Sequence, residues 1–272
     1  MIPHRMDADR IAAGTKRVRV GRRVLVFDEL DSTNEYALAV LAPRDGGAAD
    51  GTVVFAEHQT AGRGRLGRTW HSPRGASLAM TVLLCESRLP PSPVRLVMAG
   101  GVAVARAVAS TTDVDSVIRW PNDVYVGPKK LAGVLVEARS VKPDCWAVAI
   151  GIGINCLQHA GHFPPELRDR ATSLELESRH AIDREAVAIA VLNELDALVR
   201  RDSTISDGEL ADQWRARSAD LGARVTLREN GQLFTGVILD VHPQSGLVLQ
   251  LDTGARRHFD PATASRELGF SN

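Results

Sequence analysis

A chain of 272 residues, 44% of them hydrophobic, has enough apolar material for one large domain, or a large domain with a small companion. Its formal net charge of zero excludes bulk electrostatic attraction as the route to nucleic acid or an anionic membrane. Its three cysteines, Cys85, Cys145 and Cys156, are odd in number, widely spaced and without a CxxC pair, which excludes a disulfide framework and a cysteine zinc site.

Residues 1–22 are polar and basic, and read as a flexible N-terminal segment too short for a folded DNA-binding module. The opening MIPHRMDADR lacks the apolar stretch of a signal peptide, and no apolar run reads as long enough to span a membrane, so a soluble cytoplasmic protein is expected. RVLVFD (23–28) alternates as a strand. Ser32 and Glu35 have capping-box spacing ahead of a helical pattern at Tyr36, Ala37, Val40 and Leu41, and 43–51 reads as a loop.

TVVFAEH (52–58) is a β-branched, apolar strand, and SLAMTVLL (77–84) points Leu78, Met80, Val82 and Leu84 one way. The Ala-rich, nearly all-apolar run 94–110 predicts a buried helix. Residues 116–120 and 131–139 are strands flanking PNDVYVGPKK, which holds another short strand and a Gly-Pro turn; 145–155 is a long apolar strand.

The stretch 156–182 is mostly irregular. A helix over 184–201 follows with Asp183 as N-cap, and a shorter one covers 207–219. After Leu221, turn signals at Asn230-Gly231, Pro243–Gly246 and Asp252–Gly254 separate short strands, predicting a small antiparallel barrel. The expected division is a catalytic domain over 23–221 and a β-domain over 222–272.

Three motifs could carry chemistry. QTAGRGRLGRTW follows a strand and packs three arginines and three glycines into Gly62–Arg68. Glycine lets backbone approach a ligand closely, and guanidinium forks suit phosphate or carboxylate. It is neither a P-loop nor a dinucleotide fingerprint, and alone it reads equally as a solvated loop in a chain with 29 Arg to 4 Lys.

RWPNDVYVGPKKLAG places Asn122 and Asp123 at a strand end and two of the four lysines at the next turn; alone it is equally a hairpin with a polar tip. GIGIN puts Gly151 and Gly153 on one strand face, leaving room for a flat ligand or for close helix packing.

Together and in this order, DSTN, EHQTAGRGRLGRTW, RWPNDVYV, KKLAGVLVE, GIGIN and the terminal β-module resemble a biotin–protein ligase over about residues 24–270. The resemblance implies an α+β fold, a mixed β-sheet with helices on one side of the class II synthetase type, plus a C-terminal SH3-like β-barrel. It implies synthesis of biotinyl-5′-AMP from biotin and ATP, then transfer of biotin to one lysine of a biotin carboxyl carrier domain of an acyl-CoA carboxylase.

By the resemblance, Ser32, Thr33, Asn34 and Gln59 line the biotin end, and Gly62, Arg63, Gly64 and Arg65 form a mobile cover. Lys130 contacts the reacting oxygens, Gly133, Gly151 and Gly153 provide the floor, and Arg65, Arg68, Trp70, Asn122, Asp123 and Asn155 serve the nucleotide. Lys130, Asp123 and Arg65 are the expected catalytic set, with Asp123 orienting or deprotonating the carrier lysine. Mg²⁺ is expected on the phosphates, with no protein ligands identified.

Arg119 stands where the family usually has Lys, and Leu66 where the loop often has another basic residue. No helix-turn-helix precedes the catalytic part, so DNA binding is not expected; the assembly is a monomer or homodimer. A lipoyl or octanoyl transferase-like relative, and a non-enzymatic RNA or adaptor protein, are the competing readings. The complete Gly-Arg loop with the terminal β-module disfavours the first, and zero net charge disfavours the second.

Overall fold

The computed structural model describes residues 5–87 and 92–267. The first four residues of the expected N-terminal segment and the last five of the expected β-domain lie outside the described residues. Seven strands form the main sheet: Arg23–Phe27 (β1), Thr52–Ala56 (β2), Ser77–Ser87 (β3), Val117–Arg119 (β4), Asp123–Val126 (β5), Lys129–Lys142 (β6) and Cys145–Asn155 (β7). Their spatial order is β1-β2-β3-β7-β6-β5-β4. Only β1 and β2 run parallel, so the sheet is mixed.

Alternation along the central strands decides what each face can hold. On β7, Val148, Ile150, Ile152 and Ile154 enter the main core, joined from β3 by Leu78, Met80, Val82 and Leu84. Against this face pack the two long helices, Pro93–Thr111 and Arg184–Val199. In the first of them Gly100 lies so close to β6 that a Cβ would fall 2.7 Å from Val134 Cγ1.

The other face of β7 reads Ala147, Ala149, Gly151, Gly153, Asn155, a run of small residues. Its Ala end, with Val54, Leu83 and Cys85, is covered by one helical segment. That segment is Thr33–Tyr36, a wider π-type turn at Ala37–Leu41, and Ala42–Asp45. Its Gly end is left open. Helical turns also occupy 43–49 of the stretch 43–51 expected as loop.

The expected capping box at Ser32 does not form: Ser32 makes no side-chain cap bond. Glu35 is drawn away instead, to Arg63 at 3.1 Å and Arg139 at 3.4 Å. Asp183 does cap its helix, accepting from Glu185 N–H at 2.9 Å and Ala186 N–H at 3.1 Å.

Two expectations need correction. Helix Pro93–Thr111 is long and apolar enough to span a membrane by length and composition, with a mean hydropathy of 1.4. Its apolar surface is spent on the core, since 72% of that window is buried. The segment 1–22 is not loose where it is described. Ala8–Gly14 is a helix, capped by Asp7, and Arg10 pairs with Asp183 and Glu185.

Arg19 is buried against Asp50 at 2.9 Å and Glu86 at 2.5 Å. Asp196, 3% exposed, accepts the backbone N–H groups of Arg19 at 2.9 Å and Val20 at 2.7 Å. Arg10, Arg19 and the backbone N–H groups of Asp7 and Val20 are thus held by distant acids, while Lys16, Arg17 and Arg22 are exposed.

The second sheet is antiparallel and five-stranded, the small β-module expected at this end of the chain. Its strands are Arg224–Glu229 (β8), Gln232–His242 (β9), Gly246–Leu251 (β10), Arg256–Phe259 (β11) and Ala264–Arg266 (β12), in the order β11-β10-β9-β8-β12. Helix Asp207–Arg215 bridges the two sheets, with Arg215 on Asp240 at 2.7 Å. Asp220, 1% exposed, accepts Trp120 N–H at 2.7 Å from the first sheet and Arg266 Nη1 at 2.6 Å from the second.

Replacing Asp196 by Ala leaves two buried N–H groups without an acceptor, each costing about 1–3 kcal/mol. Asp196→Ala is expected to lose roughly 2–4 kcal/mol of stability in urea unfolding and to open residues 5–22 to protease. A variant with wild-type stability and an equally protected segment contradicts this anchoring.

Candidate active site

The open end of the small-residue face is the floor of a cleft of about 660 Å³. Gly133 on β6 and Gly151 and Gly153 on β7 leave backbone bare there, and the register sets Gly133 beside Gly153. Two side chains lie directly on that backbone. A Cβ at residue 151 would fall 2.4 Å from Asn34 Oδ1, and one at residue 153 would fall 2.4 Å from Trp70 Cε2.

One wall is a hydrogen-bonded chain. Gln59 Oε1 accepts from Thr33 N–H at 2.9 Å and from Thr33 Oγ1 at 3.1 Å. Thr81 Oγ1 donates to Asn34 Oδ1 at 2.6 Å and lies 2.8 Å from Thr33 Oγ1. Asn34 Nδ2 donates to Glu137 Oε2 at 2.7 Å. Ser32, 4% exposed, lines the same end with no partner from a helix cap.

The Gly-Arg loop is a short hairpin over this wall. Arg63 bridges to Thr69, Trp70 N–H reaches Gly62 O at 2.9 Å, and Gly64 N–H reaches Arg68 O at 2.6 Å. Gly62 is needed because a Cβ there would fall 2.4 Å from Trp70 O. At the tip, Leu66 adopts the left-handed region (φ 55°) and is 55% exposed.

The three arginines part company. Arg63 lies between Glu35 and Glu137, each at 3.1 Å. Arg65 turns inward, donating to Asn122 Oδ1 at 3.2 Å and to Ala264 O of the second sheet at 2.9 Å. Its burial lowers the guanidinium to about 10, against the raising charge of Asp123, so it stays cationic at neutral pH. Arg68 is exposed at the cleft mouth.

Opposite the hairpin, Lys130 Nζ sits 2.6 Å from Asp123 Oδ1 and 5.6 Å from the Trp70 ring centroid. Lys130 and Asp123 thus form a close ion pair, and Asp123 Oδ1 is buried with no other partner among the described residues. Both atoms crowd Gly133, at 3.2 and 3.3 Å from where its Cβ would be. The backbone of Lys130 is held by the irregular stretch, through Arg170 O at 2.8 Å and Thr172 N–H at 2.9 Å.

Asn122 Nδ2 donates to Val134 O at 2.8 Å. Asn155 is 4% exposed, its amide already engaged by Thr172 O at 2.8 Å and Gln158 Nε2 at 2.9 Å. Arg119 stacks over Tyr125 at 4.6 Å on the outer wall, and burial pushes that phenol up to about 12. Among the described residues no group of three or more His, Cys, Asp or Glu side chains is placed to hold a metal.

The structure thus brings Ser32, Thr33, Asn34, Gln59, Arg63, Gly64, Arg65, Arg68, Trp70, Asn122, Asp123, Lys130, Gly133, Gly151, Gly153 and Asn155 around one cleft, with Gly62 at the hairpin base. The sequence reading missed Thr81, Glu137 and Ala264 O. Thr81 is the polar residue inside an otherwise apolar strand, a signal that was readable. Glu137 and Ala264 depend on contacts across 103 and 199 residues.

Residues 26–155 match the model of the biotin/lipoate A/B protein ligase family. The chain is 36% identical over 243 residues to the biotin–[acetyl-CoA-carboxylase] ligase of Mycobacterium tuberculosis, covering 86% of this chain and 85% of that one. It is 30% identical over 267 residues to the bifunctional ligase/repressor of Bacillus spizizenii, covering 98% and 80%. A solved biotin protein ligase of Aquifex aeolicus in complex with biotin and ATP superimposes with a TM-score of 0.75 at 28% identity, covering 90% of this chain and 100% of that one.

Carbon–carbon contacts settle near 3.5–4.0 Å, so a methyl at residue 153 must move the Trp70 indole by about 1 Å or more. Gly153→Ala is expected to fold but to show the indole displaced in a crystal structure. An indole still lying on the strand would contradict the close-approach account of this glycine.

Proposed function

The chain belongs to the biotin/lipoate A/B protein ligase family, and from that premise we infer how its cleft divides the work of a biotin–protein ligase. The enzyme joins biotin and ATP as biotinyl-5′-AMP, releasing pyrophosphate, and then passes biotin to a lysine of a biotin carboxyl carrier protein. The observation that carries the residue assignment is the placing of Lys130 and Arg65 over a floor without side chains, flanked by Asp123 and Trp70.

Adenylation brings a carboxylate against a polyphosphate, and both are anions. Cations fixed before the reaction lower that repulsion and stabilise charge growing on the α-phosphate, without reorganising at the moment of attack. Lys130 and the half-buried Arg65 take this role, with Arg68 at the mouth. The carboxylate is already a nucleophile, so this step needs no general base.

Biotin occupies the end lined by Ser32, Thr33, Asn34 and Gln59, where paired hydroxyl and amide groups match a polar ring and Gly151 lets Asn34 settle onto the strand. The nucleotide lies toward Asn122, Asp123 and Trp70, with Asn155 shaping the floor beneath it. Mg²⁺ enters on the phosphates of ATP, as part of the substrate.

In the second step the carrier lysine must present a neutral amine to the acyl carbon. Asp123 is the carboxylate this reading assigns to orienting that amine. The hairpin keeps water from the adenylate meanwhile, and its tight turns explain the alternation of glycine with arginine.

Residues 23–221 act as the catalytic domain and 222–272 as an SH3-like companion that reaches the site through Ala264 and Arg266. The cytoplasm, where ATP and reduced thiols are available, is the compartment this reading assigns; Cys85, Cys145 and Cys156 are all free. Relatives matching 86% and 82% of this chain, from Mycobacterium tuberculosis and Paracoccus denitrificans, are named biotin–[acetyl-CoA-carboxylase] ligases, which supports biotin over lipoate.

Purified protein should catalyse ATP–pyrophosphate exchange that depends on biotin; exchange with lipoate in its place would overturn the substrate assignment. Lys130→Ala should slow adenylate formation by about two orders of magnitude or more, the scale of losing one transition-state contact. A near-wild-type rate would remove Lys130 from the site. Arg65→Gly loses both the Asn122 and Ala264 contacts, so the hairpin should close poorly and leak adenylate. Mass spectrometry should then find biotin on bystander lysines; labelling confined to the carrier would refute the cover role.

A further inference from the structure

Glu137 has no role in the chemistry described so far, yet it stands at a junction. It lies on the cleft face of β6, and its Oε2 alone takes two donors from different parts of the site. Asn34 Nδ2 approaches at 2.7 Å from the floor, and Arg63 Nη2 at 3.1 Å from the base of the hairpin.

The first contact is the shorter of two from Asn34 Nδ2, the other being Leu135 O at 3.3 Å, and together they fix an orientation. A carboxamide has two flips, and only one presents its N–H to a carboxylate. With Nδ2 on Glu137, Oδ1 is turned to the Thr81 hydroxyl and seated over Gly151. From there the chain continues through Thr33 to Gln59. The second contact involves charge. Glu35 and Glu137 both pair with Arg63, and Arg139 shares Glu35 at 3.4 Å, so the charge of Arg63 is matched within this cluster. It is an anchor for the hairpin.

We infer that Glu137 is a positioning residue for biotin: one carboxylate holds Asn34 in its ligand-facing orientation and ties that orientation to the hairpin anchor Arg63. Floor and cover are thereby set together. The inference rests on reading this end of the cleft as the biotin site.

The test is ATP–pyrophosphate exchange by the full chain, with biotin and MgATP varied separately. Glu137→Gln should raise KM for biotin by roughly tenfold or more, while kcat and KM for MgATP change by less than about threefold. Glu35→Gln loosens Arg63 but leaves Asn34 untouched, and should shift the biotin KM by less than about threefold. Equal shifts from both variants, a loss that falls on kcat, or no shift from Glu137→Gln overturns the inference.

If Glu137→Gln melts early, a polarity exchange replaces it. Asn34→Asp should weaken biotin binding by opposing two carboxylates, and adding Glu137→Gln should recover at least about threefold of that loss. No recovery overturns the inference. Wild-type exchange with biotin separates these outcomes from a failure of the ligase reading itself.

Discussion

Two missing methyl groups on one strand organise this molecule. β7 is the middle strand of the main sheet, and its core face is filled by isoleucine and valine. Its other face has no side chain at Gly151 or Gly153, and the carboxamide of Asn34 and the indole of Trp70 lie against bare backbone. A sheet face normally ends about one side chain above its backbone. Here that layer is supplied by residues from the helical segment and from the hairpin, whose positions differ from those any β7 side chain could reach. The same strand carries alanines further along, at Ala147 and Ala149, and the short helical segment settles there. A gradient from small to absent side chains thus divides one face into a covered end and a ligand end.

The charges follow from this geometry. Three arginines in a seven-residue loop look alike in sequence, but each meets a different environment. Arg63 is matched by Glu35 and Glu137, Arg65 is drawn into the cleft beside Asn122, and Arg68 remains in solvent at the mouth. The neutralised arginine suits an anchor, the desolvated one suits an electrostatic role, and the solvated one suits attraction of an incoming anion. Lys130 is placed by a different route, its backbone strapped to the irregular stretch at Arg170–Thr172 and its ammonium paired with Asp123.

How much of this could be read in the sequence depended on the range of each interaction. Alternation located β3 and a long apolar run located β7, because the residues that a strand buries are its own. Asp183 was legible as a cap because the N–H groups that donate to it are two and three residues away. Ser32 and Glu35 had the same local signature, but Glu35 answers to Arg63 and Arg139, which local spacing does not contain. The polar residues of 5–22 resembled a solvated tail for the same reason; the acids that bind them, Asp183, Glu185 and Asp196, lie about 175 residues on. The site residues were legible as a set because three ambiguous motifs occurred in one order, while the links that Thr81 and Glu137 make between them depend on partners 47 and 103 residues away.

The second sheet belongs to this argument because the cleft is not closed by the first. The hairpin needs a fixed point on its inner side, and Ala264 O on β12 provides it by accepting from Arg65 Nη2 at 2.9 Å. That strand must itself be fixed relative to Asn122 and Asp123, or Arg65 would be held to a moving support. Asp220 meets this need from the boundary between the sheets. Its buried carboxylate accepts Trp120 N–H, two residues before Asn122, and Arg266 from β12 itself. A buried carboxylate with both partners in place is rigid, since giving up either would leave a charge or a donor unsatisfied away from water. The support for the cover and the strand that carries Asp123 are therefore aligned by the same side chain.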